Sequence, residues 1–262
     1  MDLNSFPIMS SLVSQYDTDG YVIARNVLDA DLMAEARDHV FWLLDRNPGV
    51  APEQLHAHLA VQDPFWIRLI SDPRLLDVAE QFIGPNIALF STHYICKAPY
   101  TGAAVLWHQD GSYWPLDPME VITFWLALSE TDPGNGCLRI IPRTQHLDLQ
   151  EMKENTTVDN VLGSSIDDSF VDESGAIDCI MQPGDVEIHH PNVIHGSNAN
   201  TGDRWRMGLT IRYIPTSTRI LRDAGAPFLL RGEAVPGVNT YHPMPKYRAT
   251  EHMAFKGCEA YA

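Results

Sequence analysis

The sequence predicts a mainly β fold, a sandwich or barrel-like double sheet, with α-helices packed on one side of it. Three observations carry that prediction. From residue 87 onward, short strand-like runs alternate with Gly, Pro, Asn and Asp, giving candidate strands at 87–97, 104–108, 121–129, 136–141, 177–182, 185–190, 193–197 and 205–214. Strands at that spacing mark a barrel or a double sheet. Before residue 87, apolar residues recur instead at helical spacing, and such helices need a sheet surface to cover. Finally, two of the strands have unlike faces. Ile122, Phe124, Leu126 and Leu128 alternate with Thr123, Trp125, Ala127 and Ser129; Trp205, Met207, Leu209, Ile211 and Tyr213 alternate with Arg206, Gly208, Thr210 and Arg212. A polar face in water is the simplest account of that pattern. The N-terminal helices favour another, in which the apolar face lies under helices and the small and polar face lines a ligand cavity.

In chain order, residues 9–50 read as helix, short extended piece, helix. Asp17-Thr18-Asp19-Gly20 is a turn and Tyr21-Val22-Ile23-Ala24 is β-prone. Asp29 or Asp31 caps the next helix, whose Leu32, Ala36, His39, Val40, Leu43 and Leu44 recur near period 3.6 before Asn47-Pro48-Gly49 ends it. Residues 64–83 form another amphipathic stretch, interrupted near Asp72-Pro73. His56 and His58 fall in the loop between, where a solvated histidine is the ordinary case. Residues 148–175, rich in Asp, Glu, Asn and Ser, read as a long insertion between strands; loops of that length are lids or disordered. The tail beyond Pro215 is expected to wrap an open end of the sheet. Without a repeat, low-complexity tract or linker, one domain over 1–262 is expected: a helical part to about 85, a β core over 87–215 and a C-terminal wrap over 216–262.

Composition excludes several partners. Hydrophobic residues make up 45% and charged residues 20%, as in an ordinary globular protein, and Lys+Arg 18 against Asp+Glu 34 gives a net charge of −16. That balance disfavours nucleic acid, anionic membrane surfaces and polyanionic substrates. Cys96, Cys137, Cys179 and Cys258 include no C-x-x-C pair and no zinc spacing. Neither a basic-then-apolar leader nor an apolar run near 20 residues is visible, so a reduced, cytoplasmic setting is the expectation.

The chemistry gathers around Leu106-Trp107-His108-Gln109-Asp110-Gly111. Imidazole and carboxylate two residues apart project to one side of an extended strand, as two corners of a metal site require. A third corner is available in Asp185-Val186-Glu187-Ile188-His189-His190-Pro191-Asn192-Val193-Ile194-His195-Gly196-Ser197. His189 and His190 point to opposite faces and Pro191 ends their strand, so at most one of them faces a site. His195 opens a fresh strand and precedes a glycine that permits close backbone approach. Two histidines and one carboxylate leave three positions open on a six-coordinate metal, the arrangement of non-haem Fe(II) oxygenases.

These motifs resemble the phytanoyl-CoA dioxygenase family. The matching residues are Trp107-His108-Gln109-Asp110, Phe124-Trp125-Leu126-Ala127-Leu128, Asn135-Gly136-Cys137-Leu138 with Ile141-Pro142, Pro183-Gly184-Asp185, and His195-Gly196-Ser197 with Arg206; Asp19-Gly20-Tyr21-Val22 resembles the family's entry. The likeness runs from about residue 15 to 215. Pro142-Arg143-Thr144-Gln145-His146 departs from it, because the family has a Pro-Gly-Ser-His type turn there. The resemblance implies a double-stranded β-helix (a jelly roll, cupin-like) and an oxygenase using Fe(II), 2-oxoglutarate and O2. It hydroxylates an unactivated C–H and releases succinate and CO2, with desaturation, epoxidation or cyclisation as variants of the same chemistry. A noncatalytic metal- or ligand-binding protein on the same fold is the rival reading, and an intact ligand set with Arg206 speaks against it.

Carried over residue by residue, His108, Asp110 and His195 match the iron ligands, and Arg206 matches the basic residue for the distal carboxylate of 2-oxoglutarate. Ser197 can add a hydrogen bond to that carboxylate. His93 and Trp125 match positions that touch the cosubstrate, with core packing as the other reading. Lys97, on the face of His93 and Ile95, is either a pocket residue or a surface lysine that snorkels. Asp110 disfavours halogenation, for which relatives carry a small residue at this place. The acidic balance argues against a long acyl-CoA and for a small polar or natural-product-like substrate. Arg139 and Arg212 are candidate anchors for a substrate carboxylate, although pairing with acidic neighbours is the plainer account.

Overall fold

The computed structural model describes residues 6–262. Among the described residues five α-helices and fifteen strands follow one another: α1 (Phe6–Asp19), β1 (Tyr21–Ala24), α2 (Ala30–Arg46), β2 (Leu55–His56), α3 (Ala57–Ala60), α4 (Pro64–Ile70) and α5 (Pro73–Ile83) come first. Then come β3 (Ile87–Lys97), β4 (Val105–His108), β5 (Leu116–Asp117), β6 (Ile122–Ala127), β7 (Arg139–Ile141), β8 (Lys153–Glu154) and β9 (Ser164–Ser165). The chain finishes with β10 (Ile177–Asp178), β11 (Val186–His189), β12 (Ile194–Ser197), β13 (Arg206–Pro215), β14 (Arg219–Ile220) and β15 (Phe228–Arg231).

Three of the helices, α2, α4 and α5, start at a capping aspartate. The Asp29 carboxylate accepts from Leu32 N at the head of α2, so Asp29 is the cap rather than Asp31. Asp63-Pro64 and Asp72-Pro73 each combine a capping carboxylate with a proline preset for the first helical position, and they open α4 and α5. The break inside 64–83 is therefore the cap of a second helix.

A seven-stranded antiparallel sheet runs β1-β11-β6-β13-β3-β15, with β2 also on β3; a four-stranded sheet runs β10-β7-β12-β4. The two faces of β6 and β13 separate as the helix-covered account requires. Phe124, Leu126, Leu209 and Ile211 are buried in one core with Val40 of α2 and Trp66 of α4. Each such side chain contributes about 1.5–3 kcal/mol on burial. The opposite face, carrying Trp125, Arg206, Thr210 and Arg212, looks into a cavity.

The regions outside the β core are less separate than their sequences suggest. β1 and β2 come from the helical part and pair with β11 and β3. The tail adds strands as well as cover: β14 pairs with β5, Gly225 lines the cavity, β15 extends the edge of the large sheet at β3, and Phe255 packs in the helix-side core. Residues 148–175 form the β8–β9 hairpin and turns that lie against β4, with Val161 N donating to Ala104 O at 2.9 Å and Ile166 N to Trp107 O at 3.0 Å. Val161 and Leu162 reach the cavity, so this insertion covers it.

The departure at Pro142-Arg143 has a local explanation. Arg143 sits at φ 67, a left-handed conformation that glycine adopts without cost. The turn's side chains are used elsewhere: Arg143 Nε reaches Asp19 Oδ1 at 3.0 Å, and Gln145 Nε2 donates to Asp17 O at 3.2 Å. The substituted turn thereby ties the end of α1 to the small sheet.

Candidate active site

The small sheet supplies two imidazoles side by side. His195 of β12 lies directly across from His108 of β4, with ring centroids 4.1 Å apart. Gly196 lets these strands approach, since a Cβ there would stand 2.8 Å from Val105 O. His108 Nδ1 donates to Leu106 O at 2.8 Å and His195 Nδ1 donates to Val193 O at 3.0 Å. Both bonds fix the tautomer and leave Nε2 as a lone-pair donor toward the cavity. Burial, reinforced by His108 and His189, holds the His195 imidazole well below its usual pKa and therefore neutral.

β4 stops at His108, two residues before the carboxylate, yet the intervening Gln109 remains extended at φ −116, ψ 123. Asp110 therefore faces the same way as His108, with its Oδ1 3.7 Å from His108 Nε2. Buried Gln109 faces away and clamps the flanking loops, donating to Asn192 O and accepting from Gln150 N, each at 2.8 Å. His108, Asp110 and His195 are each 5% exposed, and their ligand atoms lie within 4.8 Å of one another. Two neutral nitrogens and a carboxylate oxygen form a donor set suited to a divalent iron-type ion.

The other Asp110 oxygen is already held in place. Oδ2 accepts from Thr123 Oγ1 at 3.1 Å and lies 3.5 Å from His189 Nε2 and 3.7 Å from Arg212 Nη2. Burial alone would raise this carboxyl's pKa, but Arg212 and the neighbouring histidines outweigh it and keep the group ionised. His189 in turn bonds Glu187 at 2.8 Å. His189 and Glu187 are the acid–imidazole pair that the sequence reading left out. Their signal was the alternation in Val186-Glu187-Ile188-His189, which puts the two polar residues on the cavity side.

Arg206 occupies the cavity wall at the far side. It is 1% exposed, its Nη1 donates to Ile95 O at 2.8 Å, and its Nε has no partner. Burial pushes it down to about 10, still a cation at neutral pH, and among the described residues no carboxylate pairs with it. A buried guanidinium without a counter-ion is costly and calls for an anionic ligand. Trp125 lies flat against it, with the guanidinium carbon 5.2 Å from the ring centroid. The ring fits only because residue 208 is glycine: a Cβ there would come within 2.1 Å of Trp125. Gly208→Ala should lower stability by about 1–3 kcal/mol through overpacking, read as a fall in melting temperature, and should weaken whatever anion Arg206 binds.

The remaining expected residues divide. Ser197 lines the cavity, but its Oγ accepts from Lys97 Nζ at 2.8 Å. Lys97 is fully buried, not a snorkelling surface residue, and it also donates to the Asn198 carbonyl; burial and Arg206 push it down to about 6. With its oxygen occupied from behind, the Ser197 hydroxyl can turn its own hydrogen toward the cavity. His93 lines the wall nearer Arg212, and its Nε2 donates to Glu53 O at 2.8 Å. His56 lies against His93 with ring centroids 4.0 Å apart and lines the cavity with His58, and both stay exposed to solvent as the sequence suggested, at the rim of the cavity. The contact follows from register: the two-residue strand β2 pairs His56 with His93. Arg139 follows the plainer account, pairing with Glu173 and Asp178. Together these walls enclose about 540 Å³, within the range of small-molecule sites.

The chain is similar to several known proteins. An ectoine dioxygenase of Sphingopyxis alaskensis is 26% identical, over 90% of this chain and 90% of its own. Among solved structures, a non-haem monooxygenase, ThoJ, superposes with a TM-score of 0.75 at 22% identity, covering 89% of this chain and 88% of its own. The epimerase SnoN, crystallised with Fe3+, alpha-ketoglutarate and nogalamycin RO, superposes with a TM-score of 0.70 at 20% identity, over 90% of this chain and 93% of its own. The phytanoyl-CoA dioxygenase family profile matches residues 16–208. The chain belongs to the phytanoyl-CoA dioxygenase family.

Proposed function

We propose that this protein is an Fe(II)- and 2-oxoglutarate-dependent dioxygenase that hydroxylates an unactivated C–H of a small molecule. The observation that carries the reading is the pairing of two features in one cavity. His108, Asp110 and His195 offer a facial nitrogen–nitrogen–oxygen set, and Arg206 is a buried cation lacking an anion. The family membership and the fold support the same conclusion. The shared core of helices and large sheet supports treating residues 1–262 as one dioxygenase domain.

In this reading His108 and His195 bind iron through Nε2, and Asp110 through Oδ1, while Thr123 and His189 keep Oδ2 occupied. Arg206 holds the distal carboxylate of 2-oxoglutarate, with Ser197 adding a hydrogen bond and Trp125 fixing the guanidinium plane. Bound there, iron and 2-oxoglutarate supply the oxidising chemistry: O2 is consumed, succinate and CO2 leave, and one oxygen atom enters the substrate C–H. The chain's own part is placement and exclusion of water. Val161 and Leu162 of the covering insertion and Trp114 provide apolar walls, and the tautomers of His108 and His195 are set before any ligand arrives. Desaturation, epoxidation and cyclisation differ only in where the substrate radical sits, so the same residues serve them. No helix among the described residues is long and apolar enough to cross a membrane. The cavity's size supports a small-molecule substrate. Screening small-molecule pools for compound-dependent succinate release is the test; an iron- and 2-oxoglutarate-loaded protein that no pool couples would contradict the reading.

A further inference from the structure

Resting on that reading of the cavity, the geometry points to a substrate class: we propose that the substrate is a small carboxylic acid whose carboxylate docks on Arg212. Arg206 and Arg212 lie six residues apart on the same face of β13, opposite Lys97 and Ser91 of β3. That separates their backbones by about 20 Å. Arg212 is the arginine beside Asp110, at 3.7 Å, whereas Arg206 makes no contact with the ligand set. The two cations thus bracket the metal position. If 2-oxoglutarate extends toward Arg206, the Arg212 side is left for the substrate.

Charge accounting makes Arg212 unusual. Among the described residues lining the cavity, Asp110 is the only carboxylate, and Arg206 and Arg212 are the two arginines. A divalent ion bound by the ligand set would take up the Asp110 charge, and the distal carboxylate of a bound cosubstrate would take up that of Arg206. Arg212 would then remain a largely buried cation without a counter-ion of its own. Its side chain is 11% exposed, Nε is buried without a partner, and its one hydrogen bond among the described residues is Nη1 to Thr210 Oγ1 at 2.8 Å. Asp110 Oδ2 is the charge Arg212 faces in the structure, as an ion pair at 3.7 Å that is beyond hydrogen-bond reach, and a metal on Asp110 would weaken it. Trp114 covers the guanidinium at 5.5 Å and holds it against the wall.

The surroundings match a neutral body with one negative end. Ser91, His93 and His56 form the adjoining wall, and burial, then His56 and Arg212, push His93 down to about 3, leaving it uncharged. No acidic group beside Arg212 would attract an amine or a cationic substrate other than Asp110, which the metal occupies. With the chain at −16 overall, long-range attraction of an anion is absent, and a local arginine is what a carboxylate needs.

The test uses the anaerobic Fe(II)- and 2-oxoglutarate-loaded protein, whose visible chelate band reports on the site without turnover. A pool of small carboxylic acids and a matched pool of their primary amides are added, and band perturbation and, in air, succinate release are read. The acids should perturb the band and drive succinate release; the amides should do neither. Arg212→Gln should weaken the response to the acids at least about tenfold, the loss expected for one charged hydrogen-bonding partner, and Arg212→Lys should restore part of it. If Arg212→Gln loses the chelate band, the wild-type acid–amide contrast and the lysine variant decide the matter. Equal responses to acids and amides, or silence of the acid pool while the band forms, overturn the proposal. A wild-type protein that forms no band overturns the oxygenase reading itself, and this proposal with it.

Discussion

Asp110→Ala is expected to abolish succinate formation while leaving the fold intact. The residue ends no hydrophobic contact, so its loss removes one metal donor and the anchor of a polar cluster, not core packing. The fall in turnover should exceed the roughly 10–100-fold that follows loss of a group merely orienting a ligand. Succinate measured under saturating iron and 2-oxoglutarate checks it, with circular dichroism to confirm folding. A variant that turns over normally would mean that another carboxylate ligates the metal. The buried Glu187, 2.8 Å from His189, is the other acid within the same cluster. Removing Asp110 also leaves His189 and Arg212 without the charge they face, which should reduce stability as well.

Replacing Arg206 has the next largest effect, and it should fall on one kinetic parameter. Arg206→Met keeps the length of the stem and its contact with Trp125 but removes the cation. KM for 2-oxoglutarate should rise by about 10–150-fold, equivalent to about 1.5–3 kcal/mol for a charge-assisted contact. The apo protein should lose little stability, and could gain some, because a buried cation with no acidic partner is a net cost before the cosubstrate arrives. Steady-state assays across 2-oxoglutarate concentration and a thermal melt without ligand separate the two effects. An unchanged KM would assign Arg206 to packing.

Much of the architecture was readable because burial imposes period. The alternation in β6 and β13 foretold which face meets helices and which meets the cavity, and Asp72-Pro73 marked the interruption within 64–83. His108, Asp110 and His195 were legible because a metal needs particular atoms on one face, and short-range spacing reveals two of the three. Other features depend on contacts between distant segments. The two-residue strand β2 has no pattern of its own, yet its pairing with β3 brings His56 onto His93 and into the cavity wall. Lys97 looked like a surface residue because nothing local says that Ser197 and Asn198, a hundred residues on, will bury its amine. The tail's β15 likewise declares itself only once the edge of β3 is there to receive it. Arg143 shows another case, a non-glycine residue at a left-handed φ of 67 whose side chain is held by distant Asp19.

The central claim, that one cavity holds iron on His108, Asp110 and His195 and 2-oxoglutarate against Arg206, is tested most directly by anaerobic titration of the protein with Fe(II) and 2-oxoglutarate. The account predicts a weak visible charge-transfer band that saturates at one equivalent of each, is lost in Asp110→Ala and requires more 2-oxoglutarate in Arg206→Met. A protein that binds both components and yields no band would contradict it.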